Sequence, residues 1–363
     1  MKLLRLFPFL AIALSLTMTS CKEDIDFAGE SQKTAIVYAL LNQADSIHYI
    51  KITRAFDGAN NSLEVAQIPD SSYFPVLSAT VTEEINGVTV RTWNLQDTVL
   101  NNKLPGVFYS PEQKVYYFKT PAGGALSENG LYKLDINVNN GEYHVYGETR
   151  LVQSLNIASP TQYAAYNFAS ANVQTNGYKT HTITINSGTA GVMDARMQVY
   201  FNEYFAGVPV EKSYTWQLGQ QTGITASQTK FLAVGELFYT QMRDAVTNDP
   251  TITRRELTRV KLQITAGTTE LNQYLLVNKP SSSLAQNKPT YTNLTATNGA
   301  RAIGLFSARN TIIQEKQKWV NVVPYYRAID ANSVRELATG QYTGGLLFCS
   351  DHPNDNALSY YCN

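Results

Sequence analysis

The sequence predicts a mainly β protein: an immunoglobulin-like antiparallel β-sandwich over residues 33–153, then a second β-rich domain over 154–363 with one or two short helices. Three observations carry this. Asn-Gly pairs at 86–87 and 140–141 interrupt alternating apolar/polar runs, the pattern of hairpins with positive φ at both turn positions. Such runs recur at spacings of about 8–12 residues, as in a sandwich. The chain also holds 23 tyrosines, and aromatic residues favour strands. The Cys–Trp–Cys pattern of antibody domains is absent, which leaves the sandwich topology open.

In order, Ala35 to Tyr38 begins the first strand. Ile47–Phe56 forms the second, with His48, Ile50 and Ile52 on one face and Tyr49, Lys51 and Thr53 on the other. Asp57–Ser72 reads as a loop. Thr80–Ile85 and Val88–Trp93 flank the first Asn-Gly turn, and short strands are predicted at Val107–Tyr109 and Val115–Phe118. Tyr132, Leu134, Ile136 and Val138 alternate strictly before the second turn leads into Tyr143–Tyr146. Ser154–Pro160 marks the domain boundary.

Beyond it, Thr180–Ile185 and Arg196–Phe205 alternate, with Tyr214–Leu218 the partner of the latter. Val234, Leu237, Phe238, Met242 and Ala245 instead fall on one helical stripe. Leu257–Ile264 returns to strand with Val260, Leu262 and Ile264 inward, and Leu271, Tyr274 and Leu275 suggest a second helix. Ala302–Ser307 and Trp319–Tyr326 read as strands and Ser333–Ala338 as a helical turn.

Residues 1–20 have the layout of a secretory leader: Lys2 and Arg5, then an apolar stretch too short to span a bilayer, then small residues. Met18-Thr19-Ser20-Cys21 is a loose match to the lipobox of bacterial lipoproteins, so Cys21 is the expected lipidation site. Several acyl chains on one cysteine would anchor the chain stably. Residues 21–32 then form a lipidated tether. Of the other cysteines, Cys349 and Cys362 form an even pair in an exported protein, which reads as a disulfide against the alternative of two free buried thiols. The chain has 29 basic and 29 acidic residues, and loss of Lys2 and Arg5 with the leader leaves it slightly acidic. It has no basic field for nucleic acid.

Lys22-Glu23-Asp24 resembles the surface-export signal of Bacteroidota lipoproteins. The order of parts resembles an uncharacterised family of Bacteroidota outer-membrane lipoproteins, a domain of unknown function often found beside TonB-dependent transporters. The matching segments are Gly235-Glu236-Leu237-Phe238-Tyr239, Leu271-Asn272-Gln273-Tyr274-Leu275, and Thr292-Asn293-Leu294 through Asn298-Gly299 to Gly304-Leu305-Phe306-Ser307-Ala308-Arg309. The resemblance covers most of residues 21–310, and the tail with Cys349 and Cys362 departs from it. It implies outer-membrane attachment, on the cell surface, and a β-barrel partner such as a TonB-dependent transporter or assembly machine. It carries no catalytic residue.

No motif for nucleophilic, phosphate or metal chemistry is present, and no cofactor is expected. His48, His144, His181 and His352 have no metal-ligand spacing. Asp351-His352-Pro353-Asn354-Asp355-Asn356 gathers oxygen donors that calcium could use, but the spacing favours turn chemistry. Glu83 and Glu84 point to opposite faces of a strand and read as solvated edge charges. Tyr200, Tyr214 and Trp216, with Tyr204, are the candidate ligand-binding platform. The expected function is a non-catalytic accessory or ligand-capturing lipoprotein. A carbohydrate-binding or glycan-uptake lipoprotein and a secreted hydrolase with a site assembled from separated residues are the alternatives.

Overall fold

The computed structural model describes residues 33–55, 62–121, 125–279, 290–321 and 325–362. Cys21 and Lys22-Glu23-Asp24 lie outside the described residues. The fold is mainly β, built from several antiparallel sheets with a few helices.

The first half runs β1 (Thr34–Asn42), β2 (Ile47–Arg54), a short helix α1 (Ser62–Ala66), a 3-10 turn (Pro69–Ser72), β3 (Leu77–Ile85), β4 (Val88–Asn94), β5 (Gln96–Leu100), β6 (Gln113–Lys119), β7 (Leu131–Val138) and β8 (Tyr143–Arg150). The second half runs β9 (Asn156–Ser159), α2 (Val173–Asn176), β10 (Thr180–Asn186), β11 (Val192–Phe205), β12 (Val208–Thr222), β13 (Gln228–Val234), α3 (Gly235–Ala245), β14 (Ile252–Gly267), α4 (Thr269–Asn278), β15 (Leu294–Ala296), β16 (Arg301–Gln317), β17 (Trp319–Val320), β18 (Tyr326–Arg327), α5 (Ala331–Thr339) and β19 (Phe348–Cys349).

One large sheet has the order β12-β11-β14-β16-β1-β2-β6-β5, with β19 beside β14. It walls both halves. A five-stranded sheet, β15-β8-β7-β3-β4, faces its β1 side, and the three-stranded β13-β10-β9 lies across the second core. The first core gathers Val37, Ile52, Val81, Leu134 and Val145. The second gathers Phe168, Phe201, Phe231, Phe238 and Leu262. A cut at 153/154 separates these cores except that Val152 already belongs to the second, and Leu294, Ala302, Phe306 and Ala308 belong to the first although they come late in the chain. The cause is β16. Its residues 301–309 run parallel to β1, and its residues 309–317 pair antiparallel with β14. Gly304 makes the first pairing possible. Its φ is +114°, and a Cβ there would lie 1.9 Å from the Val37 carbonyl oxygen.

The hairpins follow their turn chemistry. Asn86 and Gly87 have φ of 52° and 79°, and β3 and β4 close over them. Several expectations need correction. Val107–Tyr109 is irregular, and β5 supplies the strand paired with β6. The Asp57–Ser72 loop contains α1 and a 3-10 turn. In α3, Leu237 faces solvent and Tyr239 is buried in its place. Phe238 stacks on Phe168 at 4.4 Å, and the Tyr239 hydroxyl donates to the Ser333 carbonyl at 3.1 Å, which sets the helix's rotation. Asp330 caps α5 by accepting from the Ser333 N–H at 2.9 Å. Among the described residues, no helix is long and apolar enough to cross a membrane.

Candidate functional site

The described residues enclose a cavity of about 410 Å³ on the outer face of β1 and β2. Strand alternation explains its floor. Val37, Ile50 and Ile52 point into the core, so Ile36, Tyr38, Lys51 and Thr53 point the other way. On an open sheet these would meet water. Here two loops form walls over them. One is α1 and the following 3-10 turn, contributing Ala66, Ile68 and Tyr73; the other is the loop before β6, contributing Lys103, Phe108 and Tyr109.

The walls are joined by hydrogen bonds to main-chain carbonyls. The Tyr109 N–H donates to the Ala66 carbonyl at 3.0 Å, and the Gln67 side-chain amide donates to the Val107 carbonyl. Arg54 Nε donates to the Ser71 carbonyl at 2.9 Å, and the Lys114 N–H donates to the Tyr73 hydroxyl at 2.9 Å. The cavity is therefore a framed recess, with apolar walls and a few placed polar groups. Tyr274 of α4 flanks it, edge-on to Tyr38 with ring centroids 5.9 Å apart.

Its charge is one-sided. Lys51, Arg54 and Lys103 line it, and among the described residues no carboxylate or amide side chain does. Lys51 Nζ donates to Gln113 Oε1 at 2.5 Å and Lys103 Nζ to the Tyr109 carbonyl at 2.6 Å. Burial, and then the neighbouring Lys103 charge, hold the Lys51 ammonium below the usual lysine range.

The aromatic platform expected at Tyr200, Tyr214 and Trp216 does not exist as one surface. Tyr214 and Trp216 alternate toward the core. Trp216 is buried opposite Met197, and the Tyr214 hydroxyl donates to the Phe238 carbonyl at 3.2 Å. Tyr200 lies on the opposite face of β11, where the Arg259 guanidinium covers its ring at 3.8 Å. Tyr204 is likewise covered by Arg254, at 4.1 Å. The two core aromatics and the two capped tyrosines thus leave no shared stacking face.

Glu83 also needs correction. It is fully buried and accepts from Arg91 through both oxygens, from the Ser127 N–H at 2.9 Å and from the Tyr132 hydroxyl at 2.7 Å. Burial pushes its carboxyl up, but these donors outweigh it and hold it below the usual carboxylate range. A bulge between Glu83 and Glu84 accompanies this, and Glu84 pairs with Lys133 at 2.6 Å.

The histidines are dispersed. His48 is buried and stacked on Phe118 at 4.6 Å; burial, opposed by Asp45, holds its imidazole below the usual histidine range. His181 Nδ1 accepts from the Asn167 N–H at 3.1 Å. His144 Nδ1 meets Asp135 at 2.8 Å, and among the described residues no hydroxyl is bonded to its other nitrogen. His352 Nδ1 lies 2.9 Å from an Arg327 nitrogen.

The oxygen donors of 351–356 do not converge on a cation site. Asp351 binds Lys318 and the Trp319 indole N–H, while Asp355 takes both Arg327 nitrogens, at 2.6 and 2.7 Å. Cys349 and Cys362 are joined as a disulfide. Glu256 lies beside them, but sulfurs bonded to each other are not thiolate ligands.

The fold and site define a β protein with a cation-lined apolar recess. No family model matches the chain, and no curated protein does. Among solved structures it is similar to the C-terminal globular domain of an oligosaccharyltransferase from Pyrococcus abyssi, with 11% identity and a TM-score of 0.17. That match covers 81% of this chain and 48% of the other, so the chain spans about half that structure's length. Likeness at that score carries no argument about fold or activity.

Proposed function

We propose that the protein is a lipid-anchored, non-catalytic subunit that captures a small ligand at the outer membrane, on the cell surface, beside a β-barrel such as a TonB-dependent transporter or assembly machine. The anchor rests on Cys21 and the leader before it, and surface placement on Lys22-Glu23-Asp24. The observation that carries the capturing role is the framed recess over β1 and β2, whose volume suits a small molecule. The glycan alternative loses its main support, because Trp216 is a core residue and Tyr214 packs against that core.

Affinity purification of the tagged protein from its native membrane tests the reading. The wild type is expected to bring a barrel protein with it, and Cys21→Ser is expected to move the chain to the soluble fraction. A purification without any barrel overturns the accessory role. A Cys21→Ser chain that still partitions with membranes overturns the anchor.

A further inference from the structure

We infer that the recess over β1 and β2 takes an anionic amphiphile, a compact alkyl or aromatic body with one carboxylate head, and that the head sits between Lys51 and Lys103. The inference rests on the ligand-capture reading and specifies its ligand.

Three observations converge on it. First, among the described residues the recess combines apolar walls with cationic side chains. Ile36, Ile68 and Phe108 supply the apolar surface, and among the described residues every charged side chain lining the recess is positive. A sugar is served best by carboxylate and amide acceptors for its hydroxyl protons, and among the described residues the lining offers only hydroxyls such as Thr53 and Ser72.

Second, Lys51 and Lys103 come from a strand and from a distant loop, yet face one space. Among the described residues neither forms an ion pair: Lys51 binds Gln113, and Lys103 binds the Tyr109 carbonyl and lies over the Phe108 ring. Each ammonium has three donors, and each spends one on a neutral oxygen. Two like charges beside an apolar wall are unfavourable when nothing lies between them. A carboxylate there would offset, with its opposite charge, the burial and the Lys103 repulsion that depress Lys51.

Third, the frame is already built. The Tyr109–Ala66 and Arg54–Ser71 bonds hold the walls, so little ordering is left for the ligand to bring about.

The test is calorimetric titration of the full-length chain carrying Cys21→Ser, so that no acyl chain competes. The probes are octanoate, 1-octanol, octyltrimethylammonium and acetate, all below micelle-forming concentrations. Octanoate is expected to bind one-to-one and at least about tenfold more tightly than octanol, the value of one charge-assisted hydrogen bond. Acetate and the cation are expected to be silent. The double variant Lys51→Gln/Lys103→Gln should bring octanoate down to the octanol level and leave octanol unchanged. Lys103→Gln alone serves if the double variant does not fold. Thr53→Phe, which fills the floor, should weaken octanoate and octanol together.

Equal affinity for octanoate and octanol, no binding of either, or lysine variants that leave octanoate untouched would each overturn the inference. A barrel that co-purifies while octanoate fails to bind removes the ligand class and spares the accessory role. Octanoate binding with no barrel does the reverse.

Discussion

Replacing Glu83 with alanine tests whether a charge in the middle of the first sandwich is structural. The carboxylate is fully buried and takes four donors: two from Arg91, one from the Ser127 N–H and one from the Tyr132 hydroxyl. Tyr132 keeps the Ser127 carbonyl as an acceptor at 2.9 Å, and Arg91 keeps the Ala125 carbonyl and can turn partly to water. Ser127 N–H has no such replacement, and a buried unpaired amide costs about 1–3 kcal/mol. With loss of the partly buried ion pair, Glu83→Ala should cost about 3 kcal/mol, the low end for a broken buried pair. For a domain of this size that is a fall of about 6–12 °C in Tm. Glu83→Gln, which keeps the shape, should cost about half as much.

The pH dependence has a definite sign. Glu83 is held below its ordinary value of 4.5, so its contribution is complete above that value and disappears as pH falls through the lower folded value. Melts of wild type and Glu83→Ala at about pH 7 should therefore differ widely, and at about pH 3 the gap should narrow. A Tm unchanged within about 1 °C at neutral pH, or a gap that widens in acid, would refute the assignment.

Reduction of Cys349–Cys362, or Cys349→Ser, should lower stability by about 3 kcal/mol for a closed loop of this size, read by denaturant unfolding with and without reductant. Gly304→Ala should destabilise strongly, since the new Cβ meets the Val37 carbonyl at 1.9 Å; hydrogen exchange should show lost protection in β1 and in the first half of β16. Lys316 is buried, bonded to the Thr161 and Gln162 carbonyls, and burial lowers its ammonium from 10.5 to about 8. The unfolded chain then binds this proton more tightly between those values, so stability should rise with pH across that window by up to about 3 kcal/mol. The difference in unfolding free energy between wild type and Lys316→Met, followed over that range, should change accordingly, and a flat difference would count against it.

Local pattern made some elements readable. The β7–β8 hairpin was plain because Tyr132, Leu134, Ile136 and Val138 alternate strictly up to a turn that Asn and Gly can adopt. Strand His48–Ile52 was readable for the same reason. What local pattern withholds is which face of a strand becomes the inside. On β11 and β12 both faces carry aromatics, so Tyr214 and Trp216 looked equivalent to Tyr200 until α3 covered one side. Glu83 looked like an edge charge because its stabilising donors, Arg91, Ser127 and Tyr132, come from three places along the chain. The recess was hidden for a related reason. Alternation sets Lys51 on the face opposite Ile50 and Ile52, but the walls over that face come from loops whose folding there no local periodicity encodes.

The double pairing of β16 sets an order of events. The first sandwich needs residues 301–309 beside β1, so a ribosome that has made only the opening half has released a sheet with a raw edge. That edge stays open until residues 301–309 arrive, and the same strand, a few residues further on, then joins β14. Assembly of the front of the molecule is thereby deferred to near the end of synthesis, and a truncation before residue 301 should yield an aggregation-prone chain in place of a free-standing first half.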